Sequence, residues 1–269
     1  MLIDRPLVMG IINATPDSFY EGSRFLGTDK ILEQAKKMIA EQVDIIDIGG
    51  QSTKPGSKPV PESEEKNRVI EATNAVSTLF PNLIVSIDTY YSGIAREAVL
   101  AGASLINDIS AGTIDKEMIP TAAALKVPYV VMHMKGSPET MQQQAKYDDV
   151  TREVLDFFIQ KKDECKKAGI NDVIIDPGFG FAKTADHNFE LLKNLSVLKM
   201  LECPILVGVS RKSTIYKSLG VPVEEALNGT TVLNTIALMN GANILRVHDV
   251  KEAKEVVTLC SLIEKSTSI

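Results

Sequence analysis

No stretch of this 269-residue chain approaches the length of a membrane span, and the apolar run Leu7-Val-Met-Gly-Ile-Ile12 is too short and too poorly flanked for a signal peptide. Positive charge is not in excess either. The formal net charge is -6, so nothing in the global balance draws the chain to nucleic acid or to an anionic membrane, and any anion site has to be local. Cysteine is scarce: Cys165, Cys203 and Cys260 are far apart, odd in number and without metal-ligand spacing. That usage fits structural thiols in a reducing compartment, and cytoplasm is the expected location. No Pro/Gly/Ser linker or shift in composition divides the chain, so a single domain over residues 1–269 is expected. Gly178 and Gly180 do not extend to G-x-G-x-x-G, because Lys183 occupies the third glycine position; no dinucleotide fingerprint follows.

What the chain does contain is repetition. Short apolar runs rich in Val and Ile recur at Leu7–Ile12, Asp44–Ile48, Leu83–Ile87, Ser104–Ile106, Tyr129–Met132, Val173–Ile175, Ile205–Val209 and Ile244–Val247. They lack the alternation of a half-exposed strand, as expected of parallel strands covered on both faces. Amphipathic patterns follow them at 29–42, 62–80, 92–101, 116–125, 148–168, 187–201, 222–239 and 250–264, with Gly102 and Gly169 as stops and Pro128 and Pro204 ahead of strands. Eight strand-helix pairs in this length predict an α/β fold, a closed (β/α)8 TIM barrel, with an open doubly wound sheet as the alternative.

A barrel places its chemistry at the C-terminal strand ends. There the sequence offers Asn13, Asp47, Asp88, Asn107 with Asp108, Met132 with His133, Asp176, Ser210 to Lys212, and Arg246 with His248. In Asp176-Pro-Gly-Phe-Gly-Phe-Ala-Lys183 a buried strand ends in a carboxylate and turns sharply. Phe179 or Phe181 can then form an apolar wall and Lys183 a cationic rim around a polar heterocycle; the plainer reading is a tight turn whose Asp caps a backbone amide. Asp88, Asn107 and Asp176 suit an aminopyrimidinone ring, which presents N–H donors beside acceptors, although the same residues also fit a buried polar network. Ser210-Arg-Lys-Ser213 and Arg246-Val-His248 put cations at the last two strands, where many barrels dock phosphate. The loop from Gly49 to Gly56 has the hydroxyls, amides and lysine of an anion nest, and Asn13 offers a neutral oxygen to a hard cation that already carries phosphate oxygens. His187 is expected to begin a helix, and His133 is a weaker candidate.

Taken together, seven motifs resemble the dihydropteroate synthase family over nearly the whole chain. They are Gly10-Ile-Ile-Asn-Ala-Thr-Pro-Asp-Ser-Phe19, Asp47-Ile-Gly-Gly-Gln-Ser-Thr-Lys-Pro-Gly56, Ser86-Ile-Asp-Thr89, Ile106-Asn-Asp108, Asp176-Pro-Gly-Phe-Gly-Phe181, Ser210-Arg-Lys-Ser213 and Arg246-Val-His248. The resemblance implies the (β/α)8 fold and a transferase of folate biosynthesis. Its reaction joins 6-hydroxymethyl-7,8-dihydropterin diphosphate to 4-aminobenzoate, with release of diphosphate. It implies a pterin pocket of Asp88, Asn107, Asp176, Lys212 and Met132, with Asp47 joining Asp88, Asp176 and Lys212 in catalysis. Diphosphate would meet Asn13, Arg246, His248 and Lys54, with Mg2+ beside Asn13. Aminobenzoate would lie near Thr53, Pro55, Phe181 and Ser213, where sulfonamides would compete. A homodimer through outer helices near the C-terminal end is implied as well, with no nucleic-acid or membrane partner.

Two positions depart from the pattern. Lys54 stands where arginine is usual and Gln51 where glutamate is frequent, and lysine lacks the planar two-point grip of a guanidinium. Two other readings share the barrel. The methyltetrahydrofolate-binding unit of corrinoid methyltransferases needs no diphosphate site, which the cations of strands seven and eight argue against. A non-catalytic pterin-binding module would keep the pocket without turnover.

Overall fold

Each apolar run becomes a strand because both of its faces are covered: one by helices, the other by the interior of a barrel. The computed structural model describes residues 3–14, 24–52, 56–57 and 60–266, with the side chains of residues 24–26 left aside. The strands are β1 (Leu7–Asn13), β2 (Ile45–Gly49), β3 (Ile84–Asp88), β4 (Leu105–Asp108), β5 (Tyr129–Met132), β6 (Val173–Asp176), β7 (Leu206–Val207) and β8 (Ile244–Val247). All pair in parallel, in the order β6-β5-β4-β3-β2-β1-β8-β7. Closure falls between β6 and β7, where Ile175 pairs with Ile205 and donates its N–H to Pro204 O at 2.9 Å. The barrel is the predicted one, but the seventh strand is two residues rather than five: Ile205 makes only the single bridge to Ile175, and Gly208 and Val209 leave the ladder ahead of the turn at Ser210.

Nine helices occur among the described residues: α1 (Arg24–Ala40), α2 (Glu62–Leu79), α3 (Ser92–Leu100), α4 (Met118–Leu125), α5 (Val150–Ala168), α6 (Ala185–Lys193), α7 (Ser213–Leu219), α8 (Leu227–Met239) and α9 (Val250–Lys265). The added one is α7, whose few apolar positions leave little periodicity. The pattern over 187–201 splits into α6 and a 3-10 segment, Leu195–Leu201. Helix α5 shows the local logic best. Asp149 caps its start by accepting from the Arg152 N–H at 2.9 Å, and Gly169 ends it at φ 92°, a left-handed conformation that glycine takes without strain. His187 is not the first residue of α6; it and Thr184 form a reciprocal capping pair around the helix start. Among the described residues, no helix is long and apolar enough to cross a membrane.

The period-2 geometry of the strands sorts the residues into layers. Val8, Ile12, Ile46, Ile48, Val85, Ile87, Ile106 and Val131 face outward into the core beneath the helices. Inward, Met9, Ile45, Leu105, Val130, Ile174, Leu206 and Ile244 form an apolar plug at the foot of the barrel. Two residues further along the same faces the interior turns polar: Asp47, Asn107, Asp176 and Arg246 lie above Ile45, Leu105, Ile174 and Ile244.

Candidate active site

Arg246 organises the mouth of the barrel. Its Nε donates to Asp47 Oδ2 at 2.7 Å and its Nη2 to Asp88 Oδ2 at 2.6 Å, while Asn107 Nδ2 donates to the same Asp47 oxygen at 3.0 Å. One guanidinium is thus shared between carboxylates of β2 and β3. Asp47 is fully buried, and its second oxygen has no hydrogen-bond partner among the described residues. Burial pushes Asp88 up to about 7 against the pull of Arg246, with Asp47, Asp108 and Asp176 adding to the rise. For Arg246, burial alone lowers the pKa, but Asp47 and Asp88 reverse it and keep the guanidinium charged.

The loop after β6 forms the opposite wall. Asp176 Oδ1 accepts from Gly178 N at 2.8 Å, so this carboxylate makes the predicted Asx-type turn and still lines the mouth. Burial raises Asp176, and Lys212 is the chief opposing charge. Lys212 Nζ donates to Phe179 O and lies 4.7 Å from the centre of the Phe181 ring. Burial lowers this lysine to about 8, with Arg246 acting in the same direction and Asp176 against it. Phe181 and Met132 share an apolar cluster with Tyr90, Ile109 and Met141, which makes the wall wider than the sequence suggested.

Lys183 is not the cationic rim expected of it. It is buried, and its Nζ reaches Gly178 O and Phe181 O, both at 3.1 Å, His133 O at 3.4 Å and His133 Nδ1 at 2.9 Å. With acceptors on every side, it clamps the β6 loop onto the end of β5. Gly178 is required in this clamp: it has φ +71°, and a Cβ there would come within 2.0 Å of His133 O. Burial and then the Lys183 charge hold His133 far below its ordinary pKa, a neutral partner on the outer face of β5. Asp108 likewise points away from the interior. It accepts from Tyr129 Oη at 2.6 Å and from the Ser110 and Gly112 amides at 2.7 Å each, so of the pair 107–108 only Asn107 lines the mouth.

The two cations of the 210–213 motif also part company. Arg211 forms a two-point ion pair with Asp249, at 2.8 and 2.9 Å, and donates to Val223 O and Glu224 O, which leaves Lys212 as the cation turned toward the mouth. Ser213 is the first residue of α7. Just past β8, His248 keeps an exposed edge while its Nδ1 meets Ser210 Oγ at 3.1 Å. Partial burial and then Arg246 hold this imidazole below its ordinary value, so it is neutral near pH 7. Asn13 ends β1, beside Gly49 of β2. Thr53, Lys54 and Pro55 lie outside the described residues.

Gln51 acquires a physical reason. It is buried, donates from Nε2 to Glu65 Oε2 at 2.6 Å and accepts at Oε1 from Tyr90 Oη at 2.9 Å. Glutamate here would face Glu65 as a second carboxylate; the amide supplies a donor instead. Glu65 on α2 supports the loop after β2 through Gln51; the sequence reading missed it, although a glutamate at a core-facing helical position was the available signal. Burial lifts it to about 7.

Comparison with known proteins bears on this geometry. A family model described as "Pterin binding enzyme" matches residues 9–248. A curated dihydropteroate synthase of Haemophilus influenzae is 42% identical over 254 residues, covering 94% of this chain and 92% of that protein. A solved dihydropteroate synthase of Yersinia pestis, in complex with a sulfonamide drug, superposes with a TM-score of 0.93 at 40% identity and covers 99% of this chain and 97% of that one. That of Xanthomonas albilineans, in complex with 7,8-dihydropteroate, gives 0.89 at 34% identity, covering 99% and 97% respectively.

Proposed function

The chain belongs to the dihydropteroate synthases, a family of pterin-binding enzymes, and from that premise we propose how its residues share the work. The enzyme is a transferase of folate biosynthesis that condenses 6-hydroxymethyl-7,8-dihydropterin diphosphate with 4-aminobenzoate to 7,8-dihydropteroate. Asp88, Asn107 and Asp176 hold the pterin's donor and acceptor edge, with Met132 and Phe181 as its apolar walls. Lys212 lies between this pocket and the Arg246 guanidinium of β8. Arg246, His248, Asn13 and Lys54 receive the diphosphate; Thr53, Pro55, Phe181 and Ser213 receive the arylamine, at the site where sulfonamides compete.

In the step itself, the carbon–oxygen bond to diphosphate breaks with its electron pair leaving on the diphosphate. The arylamine nitrogen then bonds to the pterin methylene and releases a proton. Arg246 and His248 stabilise the departing anion, while Asp47, Asp88 and Asp176 offset the positive charge that develops on the pterin. The observation that carries this reading is the sharing of one guanidinium between Asp47 and Asp88 at the barrel mouth. A diphosphate arriving there offers Arg246 a competing acceptor and frees carboxylate oxygens for the pterin.

Among the described residues, no group of three His, Cys, Asp or Glu side chains could hold a metal ion. Asn13 would offer one neutral oxygen to an Mg2+ carried by the diphosphate. Bound in that way, the ion would spread charge on the leaving group.

The proposed assembly is a homodimer. Val232, Ile236 and Met239 on α8 and Leu259, Leu262 and Ile263 on α9, helices that pack together, leave large apolar side chains exposed. Cys165, Cys203 and Cys260 are all free thiols, which supports the cytoplasm as compartment. The experiment for the function is a diphosphate-release assay with magnesium, with and without 4-aminobenzoate. Release coupled to dihydropteroate formation is expected; pterin binding without release would leave a binding module.

A further inference from the structure

We propose that Ser210 is a positioning residue that fixes His248 in the tautomer protonated on Nε2, so that a neutral N–H donor is presented to the leaving diphosphate. The inference rests on the assignment of His248 to the diphosphate and adds to it the residue that makes the imidazole a donor. Ser210 is buried just after β7, and its Oγ touches His248 twice. It accepts from the His248 backbone N–H at 3.1 Å and lies 3.1 Å from Nδ1.

A hydroxyl has one hydrogen to give, and a backbone amide can only donate. Among the described residues, no acceptor other than Nδ1 lies within hydrogen-bond distance of Ser210 Oγ. The hydroxyl hydrogen therefore goes to Nδ1, which must be bare, and the ring proton sits on Nε2. The opposite tautomer would give the hydroxyl two donors and leave its own hydrogen buried without an acceptor, which is the costly arrangement. Orientation comes with the tautomer, because one oxygen grips both the backbone and the ring of the same residue. The ring is also kept from becoming an imidazolium by its partial burial and then by the Arg246, Arg211 and Lys212 charges around it, with Asp249 opposing them. A neutral Nε2–H can donate to a phosphate oxygen, whereas the Nε2 lone pair of the other tautomer would repel it. Ser210 does not touch the substrate; it acts through His248.

Nitrogen NMR and three sets of variant kinetics test this. Nitrogen NMR of the wild-type enzyme is expected to show a bare Nδ1 and a protonated Nε2 at His248; a proton on Nδ1 overturns the proposal. Ser210→Ala is expected to mix the tautomers and to lower kcat by about ten-fold or more, the usual scale for losing a partner that orients a functional histidine, with KM for 4-aminobenzoate unchanged. Ser210→Thr, which keeps the hydroxyl, should restore most of the loss. In a His248→Gln background the glutamine amide supplies its own donor, so adding Ser210→Ala should change kcat by less than about two-fold if Ser210 acts only through the ring. An Ala variant with unchanged tautomer and kcat, or an equal loss in the Gln background, would refute the role. Wild-type enzyme that releases no diphosphate would instead sink the functional assignment and leave the tautomer result standing.

Discussion

The foot and the mouth of the barrel are built from the same strands and the same inward face, yet they do opposite work. Ile45, Leu105, Ile174 and Ile244 pack together below; two residues on, Asp47, Asn107, Asp176 and Arg246 gather partly paired charge above. The foot gains from excluding water, and the mouth bears the cost of excluding it. Among the described residues Asp47 keeps one buried oxygen without a partner, and Asp88 is pushed up to about 7. Strain of this kind is bearable because the strands that carry it are anchored two residues below by a dry layer.

Arg246→Ala should strike hardest, because it leaves Asp47 and Asp88 facing each other without their shared cation. Removing one partner of a buried pair costs roughly 3–5 kcal/mol, and losing a charge stabiliser in the transition state costs about a hundred- to a thousand-fold in kcat. Chemical denaturation and steady-state rates on one preparation would measure both; a loss of stability alone would move Arg246 from the mouth's chemistry to its architecture. Next is Ile174→Ala in the foot, expected to cost about 2–5 kcal/mol of stability while kcat/KM of the folded enzyme stays unchanged. A drop in kcat/KM would mean that the layers are not separable.

The pH dependence sharpens the contrast further. Glu65 has a folded value of about 7 against an ordinary 4.5, so the unfolded chain gives up this proton first. The stability contributed below pH 4.5 is therefore lost as pH rises to about 7, by at most about 3 kcal/mol. Glu65→Gln should flatten that fall and make the variant the more stable form above neutrality; denaturation midpoints across pH 4 to pH 8.5 would check it, and an unchanged slope would refute it. The smallest effect belongs to Arg211→Ala. Its ion pair with Asp249 is partly exposed, so about 1 kcal/mol of stability and nearly unchanged kcat/KM are expected. A large catalytic loss would bring Arg211 back to the mouth.

Much of this was legible in the sequence. All eight strands were, because a strand covered on both faces leaves a short, mostly apolar run rich in Val and Ile, too short for a helix. Asp88, Asn107, Asp176 and Lys212 were legible because a polar group set at or just past the end of such a run lands at the barrel mouth. Direction was not. Lys183 and Arg211 each sit in the loop above a strand mouth, as Lys212 does, and which way a side chain turns depends on acceptors distant in sequence as well as on the local turn: His133 for one, Asp249 for the other. Asp108 was recoverable, since strand alternation puts it on the face opposite Asn107. The short α7 was not, for it carries too few apolar positions to show a period.

The most direct test uses one strand. Ile174 and Asp176 are two residues apart on the same face of β6, one in the dry plug and one at the mouth. Calorimetric binding of the pterin diphosphate to Ile174→Ala and Asp176→Asn, with thermal midpoints for both, separates the two roles. The account predicts that Asp176→Asn loses affinity by about ten-fold or more at a near-normal midpoint, while Ile174→Ala keeps its affinity and melts several degrees lower. Undiminished affinity in Asp176→Asn, or a loss of affinity in Ile174→Ala that matches it, would contradict the division between foot and mouth.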